Sequence, residues 1–132
     1  MNIERIAIVG MGALGVLYGD YLTEHLGRER VGFVVNAERR ERYGRTEISA
    51  NGHRCDFRLI DANETGNPAD LVIFAVKATA LDQAMEDAAG QIGPDTVLLS
   101  VLNGITSERL LERICTPKSR SVRIRILTEE LV

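Results

Sequence analysis

Four short apolar runs punctuate the chain: IAIV at 6–9, VGFVV at 31–35, LVIFAV at 71–76 and TVLLSVL at 96–102. Each is continuous rather than alternating, the pattern of a strand covered on both faces, as in a parallel sheet. Between them the period changes. Leu14, Leu17, Tyr18, Tyr21 and Leu22 recur at helical spacing over 13–26, and Gly27 stops the helix. NAERRERYG at 36–44 predicts a brief charged helix. Leu81, Ala84, Met85, Ala88 and Ile92 mark another, ended by Gly93 and Pro94. A last helix is predicted in NGITSERLLERI, with Thr106 or Ser107 as cap and Leu110, Leu111 and Ile114 on its apolar face. Strands alternating with helices predict an α/β fold, Rossmann-like and doubly wound, with a mostly parallel sheet and helices on both faces.

Two stretches depart from this rhythm. In EISANGHRCDFRLI, Asn51 and Gly52 separate Ile48 and Ala50 from Cys55, Phe57 and Leu59, which predicts a hairpin. Near the end, Val122, Ile124 and Ile126 alternate with Arg123 and Arg125, and SVRIRIL reads as an edge strand with one wet face.

Composition narrows the function classes. The 132 residues suit a single core, and 45% apolar with 27% charged residues is ordinary for a globular protein. A net charge of −3 gives no reason to seek nucleic acid or an anionic membrane, so any anion must be caught locally. Cys55 and Cys115 have neither CxxC nor Cys/His metal spacing; they read as reduced thiols of a cytoplasmic protein, and no metal is expected. No signal-peptide layout or membrane-length apolar run is present.

The chemistry is concentrated in one loop. Gly10, Met11, Gly12, Ala13, Leu14 and Gly15 spell G-x-G-x-x-G between a predicted strand and a predicted helix, with a second strand following. In that setting the first glycine makes the tight turn, the second admits a pyrophosphate and the third lets helix and strand approach, with the helix N-terminus facing the phosphates. The end of the second strand discriminates between cofactors. An acid there binds the ribose hydroxyls of NAD, whereas basic residues accommodate the 2'-phosphate of NADP. Asn36 holds that position, and Arg39 and Arg40 follow within a basic cluster, so NADP is favoured and one of these arginines is the expected clamp. Glu38 is within reach of a ribose, and Arg42 and Arg45 read as a solvated helix face.

IAIVGMGALGVLYG, NAERRERYG, the hairpin at Asn51, PADLVIFAVKATALDQAMED and TVLLSVLNGI together resemble the N-terminal domain of ketopantoate reductase (2-dehydropantoate 2-reductase) over about residues 3–114. The resemblance implies an NADP-binding domain at 1–114 and NADPH-dependent reduction of a small 2-keto acid in pantothenate and coenzyme A biosynthesis. It also places Lys77, Asn103 and Gly104 beside nicotinamide and substrate. Family members often carry an arginine near the Asn36 position and continue into a helical C-terminal domain that supplies the catalytic lysine. Here Asn36 stands instead, and the sequence ends before such a domain, leaving a tail at 115–132, read as native or as a truncated or altered frame.

Hydride transfer to a ketone requires a positioned proton donor. His25 and His53 fall away from the predicted strand ends and read as ordinary surface or packing residues, so no catalytic residue is assigned. The expected activity of this chain alone is weak or absent, and uncovered apolar surface predicts a homo-oligomer. Reduction of another 2-keto acid and a stand-alone nucleotide-sensing module are the alternatives; such sensors generally carry an acid where Asn36 stands.

Overall fold

The computed structural model describes residues 3–45, 47–50, 52–100 and 123–126. Strands β1 (Ile6–Val9), β2 (Val31–Val35), β5 (Arg58–Asp61), β6 (Leu71–Phe74), β7 (Val97–Ser100) and β8 (Arg123–Ile126) form one sheet in the order β5-β2-β1-β6-β7-β8. Every pairing in it is parallel. Helices α1 (Ala13–Leu26), α2 (Ala37–Arg45) and α3 (Leu81–Ala88) connect the strands. Residues Ser49–Ala50 (β3) and His53–Arg54 (β4) make a separate antiparallel hairpin.

The two-sided burial of the strands explains their continuous apolar character. Along β1, Ile6 and Ile8 join Val31, Phe33, Phe57 and Ile73 in one buried cluster, against which Val16, Tyr18, Leu22 and Leu26 of α1 pack. Ala7 and Val9 point the other way, into a cluster with Val34, Val72, Phe74 and Leu98 that is closed by Leu81, Ala84, Met85 and Ala88 of α3. Alternate side chains of one strand therefore serve opposite helical layers.

Three sequence expectations are refined. The second arm of the hairpin stops at Arg54, and Arg58–Asp61 crosses into the main sheet, where Leu59 aligns with Phe33 and Ile60 with Val34. An edge strand needs only one well-buried residue here, Ile60, so its pattern is indistinguishable from a hairpin arm in the sequence. Helix α3 ends at Ala88 and tightens into a 3₁₀ turn, Ala89–Gln91, leaving Ile92 beyond the helix but packed on the core. On α1, Leu17 and Tyr21 are 41% and 59% exposed although they share its apolar spacing. That helix is apolar on more of its circumference than the sheet covers. The predicted helix around Thr106 and Leu110, together with Asn51, Asn103, Gly104 and Cys115, lies outside the described residues.

Candidate nucleotide-binding site

The parallel strands direct their carboxyl ends to one edge, and the chain order reverses between β1 and β6. This switch point is where open α/β sheets place their ligands. It is joined by a hydrogen bond from the Ala75 N–H to the Val9 carbonyl, 2.8 Å.

The three glycines of the loop meet three different surroundings. Gly10 has φ +108°, and a Cβ there would run into the Ala75 carbonyl oxygen and lie 2.8 Å from Val76 Cγ1, so the chain just beyond β6 excludes any larger residue. At Gly15 a Cβ would meet the carbonyl oxygen of Gly10, which shows how closely the first turn of α1 folds over the loop. Gly12 is the opposite case: nothing lies within 4 Å of a Cβ built there. Packing does not require this glycine. What it leaves is open space at the N-cap of a 14-residue helix. No side chain at the N-cap accepts from the helix N–H groups, and the first turn carries no acid, so the positive end of the helix is not neutralised locally. A cradle of backbone N–H groups with room beside Gly12 for a phosphate fits a dinucleotide.

At the end of β2, Asn36 serves the helix that follows. Its Oδ1 accepts the Arg39 N–H at 2.9 Å, an N-cap for α2. The basic cluster behind it is largely spoken for. Arg42 lies 3.7 Å from Glu38 and Arg45 pairs with Glu41 at 2.6 Å, both one helical turn apart. Arg40 is 3.6 Å from Asp61 at the end of β5. Arg39 has no ion-pair partner among the described residues. Lys77 follows β6 on the same edge as the glycine loop; it is exposed, and its carbonyl accepts the Ala80 N–H at 2.9 Å. Met11 packs against the core beneath the loop.

The histidines separate. His25 stays on the exposed last turn of α1, with Nδ1 2.8 Å from the Tyr21 carbonyl and its ring stacked on Tyr21. His53 instead lies 2.8 Å, through Nε2, from Oδ1 of the buried Asp20, an engagement that no local pattern announces. Cys55 Sγ is 3.6 Å from the same oxygen. Burial pushes the Cys55 thiol up from its ordinary pKa, and the Asp20 charge adds to the shift.

No helix among the described residues is long and apolar enough to cross a membrane. A sequence model of the family "Ketopantoate reductase PanE/ApbA" matches residues 6–128. The uncharacterized oxidoreductase YkpB of Bacillus subtilis (strain 168) is 34% identical over 104 residues, 76% of this chain and 33% of that protein. The crystal structure of 2-dehydropantoate 2-reductase from Geobacter metallireducens GS-15 superposes with a TM-score of 0.65 at 31% identity, covering 83% of this chain and 37% of that one. The ternary structure of D-mandelate dehydrogenase with NADH and anilino(oxo)acetate gives a TM-score of 0.73 at 25% identity, over 94% of this chain and 40% of that one. The chain thus spans between one third and two fifths of these relatives. With the glycine cradle at the switch point of a parallel sheet and a family match running through nearly all of its length, this chain belongs to the ketopantoate reductase PanE/ApbA family.

Proposed function

We propose that this chain is the NADP(H)-binding part of an oxidoreductase that reduces a small 2-keto acid, 2-dehydropantoate being the substrate class the family points to. The observation that carries this reading is the cradle itself: backbone forced to glycine at Gly10 and Gly15 around an open place at Gly12, under an unneutralised helix N-terminus. The nicotinamide cofactor, when bound, supplies the hydride. The chain's own residues bind and orient. The loop N–H groups and the α1 dipole hold the pyrophosphate, and Arg39 offers its guanidinium to a ribose 2'-phosphate. Lys77, on the same edge, presents a cation suited to a substrate carboxylate. Asn103 and Gly104 remain assigned by resemblance, beside the nicotinamide. The general acid belongs to the portion of the relatives that this chain does not span.

Calorimetric titration of the purified chain with NADPH and with NADH tests the reading. NADPH is expected to bind more tightly, and Arg39→Ala to weaken NADPH by about tenfold or more, the worth of one charge-assisted hydrogen bond, while leaving NADH unchanged. Tighter binding of NADH would move the reading toward the D-mandelate dehydrogenase type of cofactor use. Binding of neither nucleotide would overturn it.

A further inference from the structure

A second cluster lies well away from the glycine loop. Asp20 sits seven residues into α1, about 10 Å along the helix axis from Ala13. Its carboxylate is nearly withdrawn from solvent, with the side chain 12% exposed. The hairpin closes over it. Residues His53 and Cys55 are two apart on extended chain, so both side chains fall on one face, and the Cys55 N–H holds that chain to the Ile48 carbonyl at 2.7 Å. His53 Nε2, Asp20 Oδ1 and Cys55 Sγ all lie within 4.8 Å of one another.

We propose that Asp20, His53 and Cys55 form a zinc site that pins the hairpin to α1. An imidazole, a thiolate and a carboxylate are a donor set that suits Zn²⁺ and disfavours Mg²⁺ or Ca²⁺. The spacing agrees. Around a tetrahedral ion with Zn–S about 2.3 Å and Zn–O about 2.1 Å, sulfur and oxygen stand about 3.6 Å apart. The Cys55 Sγ to Asp20 Oδ1 separation is 3.6 Å. The His53 to Asp20 pair, at 2.8 Å, opens by about 0.6 Å to reach the corresponding nitrogen–oxygen separation. His53 is half exposed, so its ring has room to make that move. The three donors line a cavity of about 450 Å³ that also holds Glu24 and Thr23. Glu24, one helical turn after Asp20 and lining the same cavity, would turn inward to supply a fourth donor. Thr23 Oγ1 is buried and has no hydrogen-bond partner among the described residues, which leaves it available to a water on the metal. In the unmetallated chain the thiol and imidazole both donate to Asp20; the ion displaces those protons and takes their place.

The test uses the tag-free full chain, reduced, titrated with Zn²⁺ alone and with Co²⁺ as a spectroscopic stand-in. Expected are one equivalent bound, tetrahedral cobalt bands with a thiolate charge-transfer band, and a melting temperature raised by about 5–10 °C at a hundredfold excess over Kd. Cys55→Ser should abolish the charge-transfer band and raise Kd more than about 100-fold, beyond the loss of an outer-sphere partner. His53→Ala, at an exposed position that circular dichroism should show folded, should do likewise for Kd, whereas Cys115→Ser should change nothing. Absence of tetrahedral cobalt bands, binding that survives Cys55→Ser or His53→Ala, or binding that is lost in Cys115→Ser would overturn the proposal.

Discussion

The corner where β1 enters α1 and the corner where β2 enters α2 are two copies of one device, a strand feeding a helix at the same sheet edge. They are built on different forces. The first is held by backbone: Gly10 and Gly15 are required because main-chain atoms occupy the space a side chain would need. The second is held by side chains: the Asn36 cap, the Arg40–Asp61 pair and two pairs along α2. A backbone device is all-or-none, whereas a side-chain device can be tuned one residue at a time.

The largest predicted effect breaks the first corner. Gly10→Ala forces a side chain onto the Ala75 carbonyl at a positive φ and should cost about 3 kcal/mol, read as a melting temperature roughly 10 °C lower with nucleotide binding lost. Gly12→Ala separates shape from stability in the same loop. No protein atom opposes the new methyl, so unfolding should change by about 1 kcal/mol or less while NADPH affinity falls more than about tenfold. Equal losses in both properties would show that Gly12 also serves packing.

The second corner should respond in smaller steps. Asn36→Ala removes the α2 cap and should cost about 1 kcal/mol by denaturant unfolding, whereas Asn36→Asp keeps an acceptor for the Arg39 N–H and should restore it. The acid should also shift preference toward NADH. Smallest is Asp61→Asn. It releases Arg40 from an exposed pair worth no more than about 1 kcal/mol, so NADPH affinity should rise up to about fivefold and NADH affinity stay constant in paired titrations. A fall in NADPH affinity would mean that Asp61 positions Arg40 rather than competing for it.

The first corner was legible because its cause is local. Strand, glycine spacing and helix follow one another in the chain, and the bounds of α1 and β2 agree with the spacing of their apolar residues. The second was legible only as composition. Arg42 and Arg45 read as a solvated helix face and do pair within their own helix, but nothing in the sequence separates Arg39 from Arg40, of which only Arg40 reaches to β5. The Asp20 cluster was invisible, because Asp20 and His53 are 33 positions apart and the short His53–Cys55 spacing is not one that marks a metal site in sequence. The same limit hid β5, whose partner β2 is defined by register and not by anything in RLID.

The sequence by itself determined the order of strands and helices, the two-sided burial of the central strands and the glycine cradle, since each depends on residues within a turn or two of one another. Tertiary structure alone decided that Arg40 reaches Asp61 at the end of β5, and that α1 and the hairpin bring a carboxylate, an imidazole and a thiol together. Those outcomes depend on contacts between distant segments, which exist only once the sheet has closed the chain between them.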